Sequence, residues 1–251
     1  MLMRRRHVLR GLAGVAAWGA VRPGLAGETR VARLIAETQN LPAIAQRIDV
    51  ISAALRGTRY EGETLIGSPR RPERFVLRDD AFDCVTYVET VLAAARSHDI
   101  AGFEDALREI RYRKGYVNWF ERNHYFFEWC EHNVDNKICR WVDMTGSVQI
   151  KKTVNSQKGL SKRRFVMRVI PRAVFLANAG KLETGDIVGF VSQRSDLDYF
   201  HCGLVVRGHT LLLRHASETR RRVLDESMAH FFTRAGAQSV TVVRPQEVAT
   251  A

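Results

Sequence analysis

Residues Arg78–Ala95 read RDDAFDCVTYVETVLAAA, and the place of Cys84 in this stretch decides how the chain is read. Cys84, Val88, Val91, Leu92 and Ala95 fall at i, i+4, i+7, i+8 and i+11, the spacing of one apolar stripe on a helix. Asp83 stands just before the stripe as a candidate N-cap, so the thiol belongs to the first helical turn. That turn presents unpaired backbone N–H groups and the positive end of the helix dipole. Both favour thiolate over thiol, which makes Cys84 a better nucleophile there than in mid-helix. Its own N–H is placed to help hold an oxyanion formed by attack on a carbonyl. The position suits acyl transfer, provided that a base lies nearby. The plain alternative is a core cysteine on an apolar helix.

A base is available in YFHCGLVVRGHTLLLRHAS, residues 199–217, where two apolar runs flank Arg207-Gly208-His209 as in a hairpin. With those three residues as the loop, Val206 pairs with Thr210 and His201 stands directly opposite His215 on one face. Cys202, the next residue along, then points to the other face. One imidazole would take the thiol proton and the second would orient the first. A two-residue loop would instead send the histidines to opposite faces. If His201 faces Cys84, the same alternation argues against a Cys84–Cys202 disulfide.

The N-terminus gives the expected compartment. MLMRRRHVLR is followed by a short apolar run, Leu12–Val21, and by small residues at Gly24 and Ala26. This is the layout of an export signal cleaved after Ala26, and RRHVLR resembles a twin-arginine signal. An ordinary Sec signal and a cytosolic basic helix are the alternatives. No later stretch is long and apolar enough to span a bilayer, so stable membrane insertion is not expected. A periplasmic protein of one catalytic domain, residues 27–251, is the expectation, with the export machinery as a partner. The whole chain carries a formal charge of +12, and residues 27–251 carry 34 basic against 27 acidic side chains, a net of +7. The basic runs SKRRF (161–165) and ETRRRV (218–223) suit an anionic wall polymer in that compartment better than nucleic acid, or are simply solvated loop charge.

The four cysteines are Cys84, Cys130, Cys139 and Cys202. In an oxidising compartment pairing is the default. A Cys130–Cys139 bridge would close a short loop and contribute roughly 2–3 kcal/mol; that pairing is left open, and a Cys84–Cys202 bridge is the rival to a reactive Cys84. No C-x-x-C pair and no closely spaced histidine pair is present, so neither a metal nor another cofactor is expected.

Along the chain, residues 29–56 show two helical segments broken near Pro42. Ile100–Gly115 reads as a helix, and the aromatic-dense segment after it as helical from about Arg122. RWVDMT, VQIKKTV, FVMRVI, KLETGDIVGFVSQ and SVTVVRP have strand composition, with Gly185-Asp186 as a turn. Helices first and antiparallel strands second define an α+β fold.

FDCVTYVETVLA, LETGDIVGF, DYFHCGLVV and LLLRHAS together resemble the NlpC-type papain-like peptidases of bacterial cell walls. IRYRKGYVNWFERNHYFFEW is similar to their AmiA-like N-acetylmuramoyl-L-alanine amidase branch, with an Arg-x-His-Tyr-x-x-Glu-Trp segment after the catalytic helix. The resemblance covers Phe75–Pro245. It implies a papain-like α+β fold whose N-terminal helices, with the nucleophile helix among them, pack on a mainly antiparallel sheet. It implies Cys84 as nucleophile, His201 as general base and then acid, and His215 as the residue orienting it. Arg122, His124, Tyr125 and Trp129 would lie near the substrate cleft, and Asp198 would contact the substrate or else stabilise a turn. Cys202 departs from the pattern, which has a small apolar or polar residue there. The implied activity is metal-free hydrolysis of a peptidoglycan or muropeptide amide through a thioester. A stem-peptide endopeptidase, an acyltransferase, a non-enzymatic wall-binding protein and, remotely, a thiol-redox protein are the rival functions.

Overall fold

A computed structural model describes residues 29–248; the export signal expected over residues 1–26 lies outside the described residues. The first half is helical: α1 (Arg30–Thr38), α2 (Ile44–Ala54), α3 (Cys84–Ala95), α4 (Ile100–Arg111) and α5 (Phe126–Asp135). Between α2 and α3 run four short strands, β1 (Arg59–Tyr60), β2 (Ile66–Ser68), β3 (Arg71–Arg74) and β4 (Ala81–Phe82). The second half is β5 (Cys139–Trp141), β6 (Val148–Val154), β7 (Arg163–Pro171), β8 (Ile187–Val191), β9 (Tyr199–Arg207), β10 (Leu211–Ser217), β11 (Arg222–Ser227) and β12 (Ser239–Pro245). Helices α6 (Arg172–Ala177) and α7 (Met228–Ala235) interrupt it.

Ten strands form one sheet in the order β4-β1-β11-β10-β9-β8-β12-β7-β6, with β5 also on β12. All its neighbours are antiparallel except β1 and β4, so the α+β expectation holds. Two apolar layers cover it. Helices α1–α5 bury one face around Ile48, Tyr87, Val91 and Leu204. Helices α6 and α7 bury the other around Phe175, Phe190, Val205 and Phe232. The single stripe expected on α3 understates its burial: every residue from Thr86 to Ala95 is buried. The other helices cover the flanks that the sheet leaves open, as an all-round apolar helix requires.

The hairpin differs from expectation in register. Leu211 pairs with Arg207 and Leu212 with Val206, so the loop is Gly208–Thr210. The shift is two residues, which preserves faces: His201 and His215 still share a side but stand diagonally. Gly203 makes that possible, since a Cβ there would lie 2.9 Å from the His215 Cβ and 2.7 Å from Leu213 Cδ1. A second irregularity sits just upstream. Phe190 pairs with His201 but Val191 with Tyr199, leaving Phe200 as an extra residue in β9. Phe200 and His201 therefore both lean towards Phe190, with ring centroids 6.2 and 6.3 Å away, the re-aiming expected of a β-bulge.

Candidate active site

Cys84 opens α3 as expected. The Asp83 carboxylate caps the helix, accepting from the Thr86 N–H at 2.7 Å and its hydroxyl at 2.8 Å, while the Asp83 N–H donates to Thr86 Oγ1 at 3.0 Å. This reciprocal box fixes the entry of the chain and leaves the Cys84 sulfur half-buried at the helix end. Burial, and then the neighbouring sulfur, raise the Asp83 carboxyl to about 6.

All four cysteines are free thiols, so neither the Cys130–Cys139 nor the Cys84–Cys202 bridge is formed. Their environments differ sharply. Burial pushes Cys130 and Cys202 well above the usual thiol value and Cys139 up to about 12. Cys84 alone is held well below it. Hydrogen bonding from the Cys202 thiol contributes most, burial works against it, and the hydrogen bond and charge of His201 add to the lowering. Three of the thiols are thus inert and one is poised as a thiolate.

The role of Cys202 corrects the sequence expectation. It does not point away from Cys84: its Sγ donates to the Cys84 carbonyl at 3.3 Å, and it belongs to the helix-side core with Leu204 and Ala216. His201 and His215 lie on the other side, against Phe231 of α7 at 5.2 and 5.4 Å between centroids. Because Cys84 sits at the very tip of its helix, consecutive residues of β9 both reach it. His201 Nε2 is 2.6 Å from His215 Nδ1 with the rings perpendicular. Burial, and then the charge of His201, hold the His215 ring down to about 3, so it is neutral and able to accept at Nδ1.

A cavity of about 540 Å³ opens at the start of α3, lined there by Asp83 and Val85, the residues on either side of Cys84, while Cys84, His201 and His215 themselves stand outside its lining. Arg122, His124 and Trp129 line it. Arg122 is anchored by Glu73 at 2.9 Å. His124 Nε2 donates to the Trp119 carbonyl at 2.7 Å, and burial lowers the ring to about 4, so it is neutral. Trp129 and Asn123 both line the cavity, and behind its wall the indole N–H of the one and Oδ1 of the other are buried without a hydrogen-bond partner in the protein.

Two expected contacts are placed elsewhere. Tyr125 packs in the core against Phe165, 5.7 Å between centroids, and its hydroxyl accepts from the Gln157 N–H at 3.3 Å. It thus acts on the cavity wall through Gln157. Asp198 is 2 % exposed, and its Oδ2 accepts from the Phe127 N–H at 2.8 Å in the first turn of α5. There it complements the helix dipole instead of facing the cavity. Several wall residues carried no sequence signal. Glu89 and Arg111 form a buried ion pair at 2.7 Å. Outside the cavity lining, Tyr60 is near enough for the charge of Cys84 to add to burial in raising its phenol to about 12. The loop residues Leu65, Gly67 and Lys158 also line the cavity.

The fold and site define a class: an α+β protein with a helix-terminal thiol facing an imidazole pair. The chain belongs to the N-acetylmuramoyl-L-alanine amidase-like (AmiA-like) family, which it matches over residues 50–237. Its fold is similar to that of a Legionella pneumophila protein, with TM-score 0.75, 20% identity and coverage of 86% of this chain and 93% of that one. It is also similar to a Bacteroides uniformis N-acetylmuramoyl-L-alanine amidase, with TM-score 0.69, 23% identity and coverage of 78% and 97%. A second amidase structure from that organism gives TM-score 0.69, 21% identity and coverage of 87% and 100%. No curated protein matches the sequence.

Proposed function

We propose that the protein is a cysteine hydrolase that cuts an amide of bacterial peptidoglycan, of the N-acetylmuramoyl-L-alanine amidase type, on a papain-like, NlpC-type scaffold. The observation that carries this reading is a lowered thiol at a helix start, next to a histidine that is itself held by a second, neutral histidine. Membership of the amidase-like family supports the substrate class. An export signal over residues 1–26 would put the enzyme in the periplasm, where that substrate lies. Among the described residues no helix is long and apolar enough to cross a membrane.

In this reading the Cys84 sulfur attacks the amide carbonyl. The N–H of Cys84, ahead of the Thr86 N–H that Asp83 already occupies, would face the oxygen as it gains charge. His201 gives its proton to the departing amine as the C–N bond breaks, leaving a thioester on Cys84. His201 then removes a proton from water, which attacks the thioester and frees the acid and the thiolate. His215 keeps the His201 ring in one plane throughout, in the manner of the third member of a triad. The cavity at the start of α3 would hold the glycan or stem portion of the substrate, with Trp129 in its wall.

The test is mass spectrometry of wall fragments after incubation with the enzyme and with Cys84→Ser. Free stem peptide beginning at L-alanine, produced by the wild type and absent with Cys84→Ser, is the expected result. Cleavage within the stem would replace the amidase with an endopeptidase. No Cys84-dependent product would overturn the enzymatic reading.

A further inference from the structure

One buried acid next to the imidazole pair has no part in the mechanism above. Glu226, on β11, has a side chain 11% exposed, and its Oε2 lies 3.4 Å from His215 Nε2. Arg234, on α7, clamps it from the other side, with Nε donating to Oε1 at 2.9 Å and Nη2 to Oε2 at 2.8 Å. His230, one turn earlier on α7, is 3.7 Å from Oε1. His215 is 1% exposed, and its Nε2 has no hydrogen-bond partner within bonding geometry, so Glu226 is the acceptor it faces.

A neutral imidazole carries its proton on one nitrogen only. With the proton on Nε2, towards the carboxylate, His215 offers its Nδ1 lone pair to the Nε2–H of His201 across the 2.6 Å contact. The other tautomer sets two N–H groups against each other there and turns a lone pair towards a carboxylate. We propose that Glu226, held by Arg234, is a positioning residue that fixes His215 as the Nε2–H tautomer and so keeps His201 turned with its other nitrogen to Cys84. The inference rests on the Cys84–His201 reading and deepens it.

The local charges agree with this arrangement. Burial works against ionisation of Glu226, but Arg234 more than offsets it, and the carboxyl stays below its usual value. The groups facing the imidazole pair are Cys84 at the start of α3, with its neighbour Asp83 capping the helix behind it, Glu226 from β11, and Arg234 and His230 from α7. Arg234 neutralises much of the Glu226 charge. At 3.4 Å the His215 contact is longer than a direct hydrogen bond. Glu226 therefore acts through orientation and takes no proton.

The test needs no cell wall. Alkylation of Cys84 by iodoacetamide, mapped by mass spectrometry, is followed from about pH 5 to about pH 9 for the wild type, Glu226→Gln and Glu226→Asp; thermal melting first establishes that each is folded. The wild type should show an inflection well below the free-thiol value of about 8.5. Glu226→Gln should move it up by about one pH unit and slow alkylation about tenfold near pH 6, with Glu226→Asp recovering much of the loss. Nitrogen-15 histidine spectra of the wild type should show His215 protonated at Nε2, and that measurement decides the matter if Glu226→Gln does not fold. An unchanged profile in folded Glu226→Gln, or an Nδ1–H tautomer in the wild type, overturns the role of Glu226 and leaves the catalytic reading intact. A wild-type Cys84 that titrates as a free thiol sinks both.

Discussion

The Nε2 of His201 and the Nδ1 of His215 are 2.6 Å apart on adjacent strands, with the two rings at 90°. A contact this short requires one nitrogen to donate and the other to accept. With His215 kept neutral by burial and its proton on Nε2, as proposed above, His201 is the donor, and its remaining nitrogen is the one free to exchange a proton with Cys84. His201→Ala should therefore lower turnover of isolated sacculi by about 10²- to 10⁴-fold, with an unchanged melting temperature. His215→Asn should keep a measurable fraction of the rate, because an amide oxygen can still accept from His201. Full activity in His201→Ala would show that the base has been wrongly assigned.

Cys202 is the main group holding Cys84 low. Cys202→Ala should shift the inflection of Cys84 alkylation towards the free-thiol value of about 8.5, while His201 keeps it from reaching that value. Removing one buried sulfur at this site should cost on the order of 1 kcal/mol in urea unfolding. An alkylation profile indifferent to Cys202→Ala would contradict the contact.

The two buried histidines set an acid limit. His215 is held down to about 3 and His124 to about 4, each chiefly by burial, so both stay neutral in the fold while the unfolded chain protonates near 6.5. The unfolded state then binds more protons, and stability falls as pH drops through about 6.5 towards those values. Asp83 acts in the opposite sense. Its carboxyl, raised to about 6, contributes stability that is present at low pH and lost as pH rises through 6. Two histidines outweigh one acid, so thermal melting should fall between about pH 7 and pH 4.5, and His124→Gln should flatten the slope. A melting temperature that rose on acidification would contradict the assignment.

Trp129 lines the cavity, and its indole N–H is buried without a partner. Trp129→Phe should leave the fold as stable or slightly more so, since an unsatisfied donor is removed. It should raise KM roughly threefold to tenfold, the value of one hydrogen bond, with kcat little changed. An unaltered KM would place substrate elsewhere.

Glu89 and Arg111 are each 3% exposed in their side chains and 2.7 Å apart, under the floor of the cavity. Arg111→Ala would leave the carboxylate buried without its partner and should cost about 3–5 kcal/mol in denaturant unfolding. The double replacement Glu89→Leu with Arg111→Met should recover most of that loss.

The helix-terminal place of Cys84 is legible because three local signals coincide there: a capping aspartate, an apolar helical pattern and a thiol between them. The shared face of the two histidines was legible for a weaker reason. Faces alternate with a period of two, so the misjudged register of β10 on β9 slipped by two and did no harm. The extra residue Phe200 was not legible. No glycine or proline marks it, and its position is set by Tyr199 packing under α5 against Phe126. The opposite facing of His201 and Cys202 is legible from strand alternation and holds; that both reach Cys84 is not, because it depends on where the tip of α3 meets β9. Asp198 was read from its place near His201, whereas its partner, the Phe127 N–H, is 71 residues away. The cavity wall, drawn from loops near Leu65, Asn123 and Lys158, has no periodicity from which to read it.

Phe200 also divides β9 into two halves with separate allegiances. Upstream, Tyr199 is committed to the helical layer; downstream, His201 is committed to the layer beneath α7. Excise that single residue and Tyr199 and His201 become ordinary strand neighbours, one side chain to each layer. What disappears is the second ring that β9 lays against Phe190 alongside the imidazole, so the bulge adds a wall to the histidine's side of the sheet without deciding which way the histidine turns.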